Sequence, residues 1–116
     1  MQNLEDINQI ARVIVRIGFV VAGSDGLSKE ERDHLINFAT IRSGLSKGDI
    51  EEEIAKSALG LSSITSVDYN LLKKLSPEKV NSLLNEVAEK GASADGVFSD
   101  QEKEALSFVR NQILNS

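Results

Sequence analysis

Asp95 and Glu102 stand seven residues apart, with Gly96 directly after the aspartate and Ser99 between them. Carboxylates at the fifth and twelfth positions of a twelve-residue calcium loop have this separation, and a glycine at the sixth allows the sharp turn. Phe98 and Ser99 take the eighth and ninth positions of that frame, but Gly91 and Ser93 stand at the first and third. The first ligand carboxylate is therefore missing, whereas calcium takes about six to eight oxygens. An earlier segment repeats the chemistry, with Asp25-Gly26 followed by Ser28 and Glu31. Asp25, Glu31, Asp95 and Glu102 are thus the candidate metal carboxylates, and hard oxygen donors favour calcium, magnesium or manganese over zinc or copper. The same residues also have a wholly structural reading. Asp bonds its own backbone and Gly accepts positive φ in a turn, Ser-x-x-Glu caps a helix, and helix N-terminal amides stabilise carboxylates without any ion.

Other chemistry finds no residues to carry it. The chain has no cysteine and one histidine, which excludes disulfides, thiolate zinc sites and cysteine nucleophiles. His34 shares a helical face with Glu30 and Glu31; this reads as an exposed histidine beside solvated acids, with a Glu–His metal pair as the alternative. Ser62, Ser63 and Ser66 lie in no nucleophile elbow, and no set of nucleophile, base and orienting group is present, so no enzyme is expected. Net charge is −5 and aromatics are 4%. An acidic chain without a basic run or stacking platforms suits neither duplex nor single-stranded nucleic acid. Glu51, Glu52 and Glu53 read as a solvated face, or as an electrostatic docking surface for a basic partner or a cation.

The elements that must hold these loops are helical throughout. Apolar residues recur at spacings of three and four, and no stretch shows sustained alternation. The first helix is expected over about Leu4 to Val21, with Ile7, Ile10, Ala11, Ile14, Val15, Gly18 and Val21 as one inward stripe. The second, over Lys29 to Ile41, opens on the Ser28–Glu31 capping box, buries Leu35, Ile36, Phe38 and Ala39, and closes at Ser43-Gly44. A third spans Lys47 to Leu59, with Ile50, Ile54, Ala55 and Ala58 inward and Gly60 as its stop. Ser62 to Ser66 carries no clear signal, and a short fourth helix runs from Ser66 to Lys74 with Val67, Leu71, Leu72 and Leu75. Ser76-Pro77-Glu78 starts a fifth, reaching about Lys90, with Val80, Leu83, Leu84, Val87 and Ala88 inward. Ser99 with Glu102 opens a last helix to Leu114 that buries Leu106, Val109 and Ile113. The expectation is an all-α, compact bundle of about six to seven helices, one domain over residues 1–116, with two related helical hairpins.

Those hairpins carry the information. VVAGSDG-LSKEERDHL, from Val20, matches KGASADGVFSDQEKEAL, from Lys90, with one residue fewer in the first loop. Ala92-Ser93-Ala94-Asp95-Gly96 through Glu102 resembles the turn of the TerB-like family of tellurite-resistance and stress-associated domains. Ala22-Gly23-Ser24-Asp25-Gly26 through Glu31 is a looser match, and Ser76-Pro77-Glu78 before Leu83-Leu84 is similar to the family's penultimate helix. The resemblance implies a non-catalytic stress-response domain whose acidic Asp-Gly loops hold a divalent cation. It also implies modules that serve in larger assemblies. Two alternatives stand beside it: a protein–protein interaction module with purely structural loops, and a degenerate EF-hand-like calcium site. Protein partners are expected, with a homodimer among the arrangements, and neither nucleic-acid binding nor direct membrane insertion. The N-terminus has no positive region leading into an apolar run, and Val13 to Ala22 is too short to cross a bilayer, so a cytoplasmic location is expected.

Overall fold

The computed structural model describes residues 4–25, 28–87 and 99–114, with the side chains of residues 4–6 and 25 outside that description. These residues form six α-helices and no strand: α1 (Leu4–Ala22), α2 (Lys29–Ser43), α3 (Lys47–Ser57), α4 (Ser66–Leu72), α5 (Pro77–Glu86) and α6 (Asp100–Leu114). Two short 3-10 turns, Gly23–Asp25 and Gly60–Ser63, complete the described chain. The second takes in Ser62 and Ser63, the start of the stretch that lacked a clear sequence signal.

From α2 to α6, each helix begins where a short polar side chain can satisfy an orphan amide. Ser28 Oγ accepts from the Glu31 amide at 3.1 Å, and Glu31 Oε1 accepts from the Ser28 amide at 3.3 Å. Ser99 and Glu102 repeat the box, with both bonds at 3.1 Å. Ser46 caps α3, Ser76 caps α5 ahead of Pro77, and Thr65 with Asp68 forms a third box at α4. Gly44 and Gly60, with φ of 73° and 68°, end the preceding helical runs in a left-handed conformation that other residues adopt only at a cost.

The central element is α1, which packs against α2, α3, α4 and α6. Every residue from Val15 to Ala22 is buried. A helix that is apolar nearly all round belongs inside the protein, and α1 accordingly has two apolar faces. Val13, Ile17 and Val20 join Ile50 of α3, Leu72 of α4, and Val109 and Ile113 of α6 in one continuous core. Of the expected stripe, Ile10, Val15, Gly18 and Val21 are buried as the spacing requires, whereas Ile7 is half-exposed and Ala11 and Ile14 are intermediate, so that part of the helix is only partly covered. The two hairpins are present as α1 packed on α2 and α5 packed on α6, with α3 and α4 between them in sequence.

Three inward assignments are corrected by the packing. Ala55, Ala58 and Val67 face solvent, Val67 at 73% exposure. On α3 the inward line runs through Ile50 and Glu53 instead, because Glu53 meets two arginines of α1. The solvated-face reading therefore fails at Glu53, which is fully buried, and holds at exposed Glu51 and Glu52.

Candidate functional site

The four candidate carboxylates divide unequally. Glu31 and Glu102 sit at the third position of α2 and α6, each with one oxygen bound to the N-cap amide of its own helix. Glu31 is partly exposed, whereas Glu102 is 2% exposed. Asp25 closes the first 3-10 turn, which packs against α6, but its side chain lies outside the described residues. Asp95 lies outside them entirely, as does the C-terminal extension of α5 to Lys90. Among the described residues no group of three His, Cys, Asp or Glu side chains is placed to hold a metal ion. The described half of the donor set is built as helix caps, so its geometry gives no coordination shell to test further.

A buried charge network lies on the far side of α1, and the sequence reading missed it. Arg12 and Arg16 are one turn apart. Arg16 Nε donates to Glu53 Oε1 at 2.8 Å, and its NH1 nitrogen donates to the Ser63 carbonyl at 2.9 Å and to Asp68 Oδ2 at 2.7 Å. Arg12 Nε donates to Glu53 Oε2 at 2.9 Å and also bonds Glu52, an interaction that holds the Arg12 guanidinium pKa above its ordinary value. Asp68 Oδ2 accepts in addition from the Thr65 amide at 2.9 Å. The network thus ties α1 to α3, to the second 3-10 turn and to the α4 cap. Every described carboxylate oxygen of Glu53 is used, which marks it as structural: it has no open face for a substrate. The available signal was Arg12 and Arg16 within an apolar helix, since buried cations require acceptors.

Tyr69 sits beside this network, 9% exposed, and its hydroxyl has no partner among the described residues. Burial, with Asp68 alongside, pushes the phenol above its ordinary value. A raised folded pKa means that the unfolded chain loses this proton first. The contribution of Tyr69 to stability is therefore full below about pH 10 and is lost as pH rises through the folded pKa. Tyr69 is the chain's one tyrosine and there is no tryptophan, so tyrosinate absorbance follows it alone. The native titration midpoint is expected above that in urea, and Tyr69→Phe is expected to keep or raise stability, by up to about 1–3 kcal/mol. Equal midpoints, or a destabilised Tyr69→Phe, would contradict this placement.

A further feature with room for a ligand is an apolar groove of about 360 Å3. Its floor is the partly covered face of α1, including Ile10, Ile14 and Gly18. One wall is α2, through Leu35, Phe38 and Ala39; the other is the start and end of α5, through Lys79, Leu83 and Val87. The groove exists because α5 packs chiefly on α6 rather than on α1. Gly18 is the place of close approach, where a Cβ would lie 3.5 Å from Val87 Cγ1. Arg42 Nε of α2 reaches Glu86 Oε1 of α5 at 2.5 Å and ties the two walls together, which raises the Arg42 pKa. Such a volume falls in the range of small-ligand sites, about 300–1,000 Å3, and its apolar lining with few polar groups is their usual composition.

No known protein family, no curated protein and no solved structure matches this chain. No described helix is long and apolar enough to cross a membrane.

Proposed function

We propose that this chain is a non-catalytic, cytoplasmic binding module of the TerB-like, stress-associated kind that its loops resemble, and that it binds through the groove between α1, α2 and α5. The observation that carries this reading is the groove: an apolar face of the central helix left partly uncovered. Leaving such surface in water forfeits about 25 cal/mol per Å2, so a contiguous apolar face of this kind marks a binding surface. A second reading keeps a divalent cation on Asp25, Glu31, Asp95 and Glu102. It is favoured by the packing of α6, whose first turn carries buried Glu102, against the turn that contains Asp25.

Thermal denaturation separates the two. A ligand that binds only the folded chain raises Tm by mass action. Sub-millimolar 1-octanol is expected to raise Tm, while calcium, magnesium and manganese leave it unchanged. A rise with one of these cations that Asp95→Asn removes, together with no response to octanol, would establish the metal reading in place of the groove.

A further inference from the structure

We propose that the groove takes a free single-chain amphiphile with a carboxylate head, its tail along the α1 floor and its head between Arg42 and Lys79. This rests on the groove being the binding surface. Charge complementarity supplies the argument. Of the sixteen lining residues, Arg42, Lys79 and Ser43 are the ones with polar side chains; two are cations and none is an acid. In a chain of net charge −5, a lining with two cations and no acid on an apolar slot favours an anionic head over a cationic one.

Both cations have capacity left. Glu86, which is not among the lining residues, engages Arg42 through Nε, and a guanidinium has further N–H donors suited to a carboxylate. Lys79 has no ion-pair partner among the described residues. The volume limits the tail. At about 360 Å3 the groove lies at the small end of ligand sites, which suits one alkyl chain and not a two-tailed lipid. Ile10, Ile14 and Leu83 offer the tail methyl-lined contact, and the Arg42–Glu86 tie keeps the walls from closing on one another or drifting apart.

The test is isothermal titration of the full chain with decanoate, 1-decanol and decylammonium, each below micelle formation. Decanoate is expected to bind about tenfold tighter than decanol, the value of one charge-assisted contact, with decylammonium weakest. Lys79→Ala, an exposed position that leaves the core untouched, is expected to bring the ratio of decanoate to decanol affinity, both measured on that variant, close to one. Equal affinity for decanoate and decanol on the unaltered chain would overturn the carboxylate assignment while leaving the groove as a binding surface. Binding of none of the three would overturn both. With no decanoate bound, a dimer in sedimentation that Leu83→Asp breaks would assign the groove to a second copy, and uptake onto anionic vesicles that Leu83→Asp abolishes would assign it to a membrane surface; either result overturns the proposal.

Discussion

Replacing Glu53 with alanine is expected to destabilise the fold by about 3–5 kcal/mol, the usual cost of breaking a buried ion pair from one side. The carboxylate is fully buried and receives Arg12 Nε at 2.9 Å and Arg16 Nε at 2.8 Å. Arg16 is itself 7% exposed and cannot turn to water when its acceptor is removed. It keeps Asp68 and the Ser63 carbonyl, but its Nε and the void left by the glutamate are uncompensated. Glu53→Gln is expected to recover part of the loss, because its amide oxygen still accepts from one arginine. Glu51→Ala, two residues away and exposed, serves as the control and is expected within about 0.5 kcal/mol of the unaltered chain. Urea denaturation measures all three. A loss below about 1 kcal/mol for Glu53→Ala would show that the cluster is solvated and that α3 is turned differently.

The second large effect is expected at Ile17. Its side chain is fully buried on the α1 face that joins α3, α4 and α6. Ile17→Ala is expected to cost about 2–5 kcal/mol, combining lost transfer energy with a cavity the packed surroundings cannot close. Ile14→Ala removes the same atoms one turn away, on the adjoining side of the helix, where the groove already leaves the side chain partly uncovered. Less than half the loss at Ile17 is expected there. The contrast between two isoleucines one turn apart distinguishes a core face from a ligand face on a single helix. Equal losses at both would mean that the groove is closed in solution.

Much of the fold was legible because its signals are local. Ser28 with Glu31, Ser99 with Glu102 and Ser76 before Pro77 each mark a helix start within four residues, and the bonds form as the pattern requires. Thr65 with Asp68 carries the same pattern and went unread among the serines around it. Gly44 and Gly60 punctuate the helices by their backbone conformation. What periodicity cannot say is which of two apolar faces a neighbouring helix covers. On α1 the stripe from Ile7 to Val21 reads as core, and Ile10, Val15, Gly18 and Val21 are buried, but Val13, Ile17 and Val20 recur at the same helical spacing and join them. The part of the stripe around Ile7, Ala11 and Ile14 is left less covered, beside the groove, because α5 packs chiefly on α6. Glu53 was hidden for a related reason: three consecutive glutamates give no local clue to the one that turns inward, and the choice falls to the arginines across the interface. The repeat found the two capped helix starts, but the binding surface proposed here lies away from the acidic turns, in the space between helices distant in sequence.

The most direct test of the account is a methyl-resolved NMR titration of the full chain with 1-decanol, a neutral probe that isolates the groove from its charged mouth. The account predicts saturable shifts at Ile10, Ile14, Leu35, Leu83 and Val87, which line the groove, with Ile17, Ile50, Leu72 and Val109 in the core held in place. Shifts spread evenly over both sets, or absent from the first, would contradict it.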